Sequence, residues 1–133
     1  MAEITWKYVK PLSNVNAVED FEKQNHVQFP LNLKQCLKDN NGGRPSLNVF
    51  DTDKSKERVF KALLSFNEAD AENIYKFFPI IYSQSHGRLL PFASDPSGNY
   101  LCLQGTKIVL FLHEDETEEG VADSFSELLE KLY

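Results

Sequence analysis

LLPFASDPSGNYLCLQGTKIVLFLH, residues 89–113, holds three short apolar runs, Leu89 to Ala93, Tyr100 to Leu103 and Ile108 to Leu112, separated by two groups of turn formers. Runs of this length, rich in β-branched and aromatic residues, read as consecutive antiparallel strands. Asp95-Pro96-Ser97-Gly98 fits a type I turn, because Asp suits its first position, Pro presets φ at the second and Gly is favoured at the fourth. Gln104-Gly105-Thr106 makes the second reversal. The later runs show no polar alternation, so both faces of the sheet need cover, with helices on one and loops or a partner on the other. The rest of the chain reads as that cover, which predicts an α+β fold.

The flanking sequence supplies it. Ile4, Trp6 and Tyr8 alternate with polar residues and predict a short edge strand ending at Pro11. Ser13 or Asn14 is placed to cap a helix whose buried face carries Val15, Val18 and Phe21 and which ends at Asn25-His26. Phe29 to Arg44 reads as a second helix: Pro30 suits its first turn, Leu33, Cys36 and Leu37 share a face, and Asn40-Asn41-Gly42-Gly43 accepts the left-handed backbone of a helix end. Leu47 to Phe50 and Arg58 to Phe66 read as strands around a polar loop. Ala71, Ile74, Tyr75 and Phe78 then mark a helix within Glu68 to Tyr82, limited by Pro79. Ser124-Phe125-Ser126-Glu127 is a capping box, and Phe125, Leu128, Leu129 and Leu132 follow at helical spacing. The pattern therefore gives one domain, residues 1–133, in which about four helices pack a meander-rich antiparallel sheet.

Hydrophobic content of 41% with 26% charge is that of a globular protein, and no apolar run approaches the roughly 20 residues of a membrane span. The amino end shows no basic cluster followed by an apolar core, so a cytoplasmic location is expected. Cys36 and Cys102, each among apolar residues, read as buried thiols rather than a disulfide. The net charge is −6. Glu114, Asp115, Glu116, Glu118, Glu119 and Asp123 follow one another with no base among them, and this run reads as an exposed loop. Such a surface repels phosphate backbones and steers a basic protein partner, so a protein, not nucleic acid or membrane, is the expected ligand.

Motifs for chemistry are missing where they would be needed. Asp51, Asp53 and Ser55 resemble the start of a calcium loop, but Lys56 stands where the turn needs Gly and Ala62 where the ion needs a bidentate Glu. Gly42-Gly43 lacks the rest of a phosphate-binding pattern. His113-Glu114 begins like a zinc-protease helix, yet Thr117 occupies the second histidine position, and His113 reads as ending a strand with a ring nitrogen bonded to backbone. No serine sits in a nucleophile elbow and neither cysteine has a CxxC neighbour. No catalytic residue, metal site or cofactor is predicted.

Val18 to Phe21 with Pro30, Leu33, Leu37 and Asn40-Asn41-Gly42-Gly43, then Leu90-Pro91-Phe92-Ala93 with Asp95, Gly98-Asn99 and Cys102, then His113-Glu114 and Phe125-Ser126-Glu127-Leu128-Leu129, resemble in this order the SUKH superfamily, which includes the fungal Smi and Knr regulators and many bacterial immunity proteins. The resemblance spans about Val15 to Leu132. It implies an α+β sheet-and-helix fold and a non-enzymatic role. Bacterial members neutralise toxin domains, often nucleases or deaminases, by binding them; regulatory or scaffold modules of the same fold are the alternative. On this reading Glu114, Asp115, Glu116, Glu118 and Glu119 supply an attracting field for a basic toxin domain. Asp95, Asn99 and Tyr100, at the turn opening the central hairpin, are candidates for the desolvated centre of the contact.

Overall fold

The framework follows from where the central apolar runs hydrogen-bond. The computed structural model describes residues 3–133. In chain order its elements are β1 (Trp6–Lys7), α1 (Ala17–Asn25), α2 (Leu31–Asp39), β2 (Arg44–Pro45), β3 (Val49–Phe50), β4 (Arg58–Val59), β5 (Ala62–Leu63), α3 (Ile74–Gln84), β6 (Leu90–Ser94), β7 (Tyr100–Gln104), β8 (Lys107–Leu112), β9 (Thr117–Ala122) and α4 (Phe125–Lys131). The antiparallel sheet β5-β6-β7-β8-β9 carries the fold, with the ribbons β1-β2 and β3-β4 beside it. This is the expected α+β architecture, and the meander from Leu90 to Leu112 lies at its centre.

Alternation along these strands sorts side chains onto two faces. Leu101, Leu103, Ile108 and Leu110 join the main core with Val18 and Phe21 of α1, Leu33 and Leu37 of α2, and Phe125 and Leu128 of α4. Cys102, Val109 and Phe111 point the other way and meet Ile81 and Phe77 of α3. A helix, rather than a loop or a partner, thus covers part of the second face. Pro91 cannot donate to a ladder, and the register of β6 against β7 shifts between Pro91 and Ala93, so the strand carries its proline beside a bulge.

Several boundaries differ from the sequence reading. The amino-terminal strand is cut to Trp6–Lys7 because Tyr8 turns into the left-handed region at φ 59°. Residues 14–16 form a turn held by Asn14 Oδ1 accepting from the Asn16 amide at 3.0 Å, so neither Ser13 nor Asn14 caps α1 and Val15 is left 72% exposed. Arg58 to Phe66 is not one strand: β4 pairs with β3, and the chain then crosses into the main sheet as β5. The helix expected from Glu68 starts only at Ile74, because the Asn73 side chain accepts from Lys76 N at 3.0 Å and donates to the carbonyls of Glu68 and Asp70, fixing the preceding residues as a turn. Pro79 lies inside α3 on its exposed side, where water can take the carbonyl it leaves unpaired.

The Asn-Asn-Gly-Gly segment ends α2 as expected, with Gly42 at φ 70°. It also ties distant pieces together. The buried Asn41 amide donates to the Lys10 carbonyl at 2.8 Å and to Ser65 Oγ at 3.0 Å, and accepts from Phe66 N at 2.8 Å. A Cβ on Gly43 would stand 2.8 Å from the Asn40 carbonyl oxygen. At the other end, Ser124 Oγ accepts from Glu127 N at 3.1 Å, but Glu127 Oε1 reaches the amide of Asp123, one residue before the cap, at 3.3 Å. Only half of the expected reciprocal box forms.

Candidate functional site

The turn opening the central hairpin is built around one carboxylate. Asp95 Oδ1 accepts from the amides of Ser97 and Asn99, both at 2.8 Å, and Oδ2 accepts from Asn99 Nδ2 at 3.1 Å. With its amide nitrogen committed to Asp95, Asn99 presents Oδ1 as an acceptor to the backbone of His113 at 3.2 Å and to His113 Nδ1 at 3.0 Å. That network assigns the Nδ1 proton to His113. The histidine ring is therefore held by a side chain and not, as its sequence position suggested, by backbone. Asp95 and Asn99 are buried, with their polar atoms engaged within this assembly. Tyr100 lies half-buried against the ring of Phe77, with centroids 5.1 Å apart, and burial pushes its phenol up to about 12.

The acidic run behaves differently from an exposed loop. Its tip, Glu114, Asp115 and Glu116, is a solvent-exposed turn in which Glu116 takes φ 55° and Asp115 Oδ1 accepts from the Thr117 hydroxyl at 2.6 Å. That hydroxyl is the main reason the Asp115 carboxyl lies below its usual value. From Thr117 onward the chain is strand β9, paired with β8, and consecutive glutamates leave it on opposite faces. Glu118 forms a two-pronged pair with Arg88, at 3.1 Å on both arms. Glu119 stands opposite Leu110 and points inward, 7% exposed. Its Oε1 accepts from Thr52 Oγ1 and Ser55 Oγ, both at 2.7 Å, with the Arg58 guanidinium 3.9 Å from its other oxygen. Burial works against that charge, but the two hydroxyls and the nearby cation outweigh it and hold the carboxyl below its ordinary value. No base stands nearby in sequence, yet both glutamates are partnered by residues brought in from elsewhere in the chain.

Folding also adds acids to this edge. Asp53 lies against the outer side of β9: its amide donates to the Gly120 carbonyl at 2.9 Å, and its Oδ1 accepts from Gly120 N at 3.0 Å. Asp51 accepts from Glu57 N at 3.0 Å and from the Tyr133 hydroxyl at 2.7 Å, bonds that keep its carboxyl low. A groove of about 730 Å³ runs between this loop, β9 and α4; Asp51, Asp53, Asp123 and Glu127 line it together with Lys107 and Lys131, the last paired with Glu127 at 3.1 Å. A smaller cleft of about 250 Å³ lies between Arg58, Ser97, His113, Glu114 and Asp115. Among the described residues, Asp51, Asp53, Glu114, Asp115, Glu116 and Asp123 have no basic side chain within 4.0 Å; Lys56 and Lys54 act on Asp51 and Asp115 from farther away. Asp51 and Asp53 were legible in sequence only as a failed calcium pattern. Their place beside β9 comes from pairing across 67 residues.

A protein-family model described as SMI1-KNR4 cell-wall, SUKH_6, matches residues 16–129. The chain belongs to the SUKH superfamily. The match covers the residues that build the acidic edge, including the whole of β9, and the Asn-Gly-Gly helix end. No curated protein and no solved structure matches the chain. Among the described residues, no group of three or more His, Cys, Asp or Glu is arranged to hold a metal ion, and no helix of this SUKH chain is long and apolar enough to cross a membrane.

Proposed function

We propose that this SUKH chain is a cytoplasmic, non-enzymatic immunity-type protein that neutralises a basic toxin domain by occupying its surface. The observation that supports this reading most directly is the placement of unpaired acids along the β9 edge of the sheet, with 51–53 and 123 at one groove and 114–116 at the turn that begins the strand. A nuclease or deaminase acting on nucleic acid carries a positive cleft for its substrate, and that cleft is drawn to such an edge. Glu114, Asp115 and Glu116 are the steering contacts, and Glu118, paired through both oxygens with Arg88, stands beside them partly exposed. Asp95, Asn99 and Glu119 contribute by fixing the hairpin and the strand that present those acids, and Tyr100 closes the same end of the sheet.

The test is co-expression with the toxin-like product of an adjacent gene, followed by co-purification and association kinetics. Wild-type protein should associate fast at low salt and more slowly as salt rises. The variant E114Q/D115N/E116Q should associate about tenfold more slowly at low salt, with a flatter salt dependence. An unchanged on-rate in that variant removes the steering role of the hairpin tip. Failure to form any complex with the neighbouring product removes the immunity reading itself.

A further inference from the structure

The opposite edge of the same sheet carries the opposite charge. Lys61 immediately precedes β5, and β2 lies beside that strand: the Leu63 amide donates to the Gly43 carbonyl at 2.9 Å, and Arg44 Nε donates to the Lys61 carbonyl at 3.1 Å. Four strand spacings separate β5 from β9, about 19 Å. Lys7, Lys10, Arg44 and Lys61 gather here on a chain whose net charge is −6. Among the described residues only Lys61 has an acid partner, Glu72.

Two features of this corner work against stability. Lys7 and Arg44 are directly opposite in the β1-β2 ribbon, where like charges repel. Next to them Tyr8 holds φ 59°, a left-handed conformation unfavourable for a bulky residue, and its ring is 73% exposed. The Arg44 guanidinium lies 5.7 Å from the centre of that ring. Between them is a cleft of about 270 Å³, lined by Tyr8, Lys10, Arg44 and Lys61 with Ala62, Leu63 and Ala71.

We propose that this cleft is a second docking site, one that takes an acidic side chain from a protein partner. The cations receive the carboxylate, the apolar lining receives its aliphatic stem, and the Tyr8 and Arg44 pair forms the flanking anchor that protein interfaces favour. Glu72, whose Oε2 accepts from Ser94 Oγ at 3.0 Å, places a fixed negative charge in the same cleft. It disfavours a doubly charged phosphate more than a single carboxylate, and the net charge of the molecule disfavours a nucleic-acid backbone. The site is independent of the acidic edge, and each can fail without the other.

Trp6, the single tryptophan, sits in β1 beside Lys7 and meets Phe60 edge-on with centroids 5.9 Å apart, so its emission reports on this corner. Titration at low salt with hexaglutamate peptide should shift that emission saturably, and inorganic phosphate at equal concentration should not. Lys10→Glu should weaken the peptide about tenfold or more, whereas Lys23→Glu, the same charge change on an exposed part of α1, should not. Tyr8→Gly is the discriminating variant: relief of the left-handed strain should raise its unfolding midpoint while its affinity for hexaglutamate falls. No saturable response, an equal response in Lys10→Glu and wild type, or saturation by phosphate at lower concentration than peptide would each overturn the assignment.

Discussion

Glu119 on β9 and Thr52 in the loop after β3 share a 2.7 Å hydrogen bond across 67 residues of chain, and this bond fastens the β3-β4 ribbon to the edge of the main sheet. Ser55 completes the seat from the same loop. Glu119→Gln should therefore cost about 1–3 kcal/mol at neutral pH, because the replacement amide keeps the shape but turns one acceptor into a donor facing hydroxyls and a guanidinium. The folded-state pKa of Glu119 lies below its ordinary value of 4.5. Its contribution is thus complete above that value and is lost as pH falls through the lower, folded-state value. Urea denaturation at neutral and acid pH should show a gap between wild type and variant that closes on acidification; a gap independent of pH would mean the charge of Glu119 contributes nothing.

The buried Asp95 carboxylate satisfies two backbone amides and the Asn99 side chain at the base of an exposed turn. Asp95→Ala leaves those donors unpaired and should destabilise by about 2–4 kcal/mol, with Asp95→Asn costing less because one acceptor survives. Asn99→Ala should cost a similar amount through His113, whose backbone and ring lose their acceptor together. Thermal unfolding of the three variants checks the ranking. If Asp95→Ala is as stable as Asp95→Asn, the turn is held by Pro96 and Gly98 alone and the carboxylate is free to serve a partner.

The meander, the helices at both ends and the Asn-Gly-Gly helix stop were legible because each is written in local apolar spacing and turn chemistry. The two strands around the polar loop, β3 and β4, were legible too, but the break between β4 and β5 was not, since a run such as Arg58 to Phe66 has the same local pattern whether it stays in one sheet or changes to another. The same limit applied to the acids. Glu118 and Glu119 resemble their neighbours in an unbroken charged run, and only the register of β9 against β8 sends one to Arg88 and the other inward to Thr52. The role of Asp53 was missed for a related reason: its partner, Gly120, has no sequence signature of its own.

Both thiols are free, and both are poor nucleophiles. Burial raises Cys36 to about 11 from an ordinary 9.0, and burial likewise raises Cys102 well above that ordinary value. At neutral pH the thiolate fraction of Cys36 is then about a hundredfold below that of a free cysteine. A colorimetric thiol reagent should label folded protein at least that much more slowly than denatured protein, in which both cysteines react at once. Rapid labelling of one thiol in the native state would show that α2 opens around Cys36 far more readily than its packing implies.

Asp53 is the residue that closes the outer edge of the sheet. Its backbone N–H and its carboxylate occupy the carbonyl and amide of Gly120, so the loop takes the place a further strand would take. A Cβ on Gly120 would lie 3.3 Å from Asp53 Oδ2, which leaves little room for any other residue there. Asp53→Ala removes the acceptor for Gly120 N and should cost only about 1 kcal/mol, because water can reach that exposed amide. Its larger consequence should be association: an uncovered edge strand offers free backbone groups to a second chain. Sedimentation velocity over a range of concentrations should show the variant forming dimers or larger species where wild type stays a smaller species, and Asp53→Asn, which keeps an acceptor oxygen, should behave as wild type. If Asp53→Ala sediments like wild type at every concentration, the loop backbone alone protects β9, and the aspartate is left as part of the acidic groove.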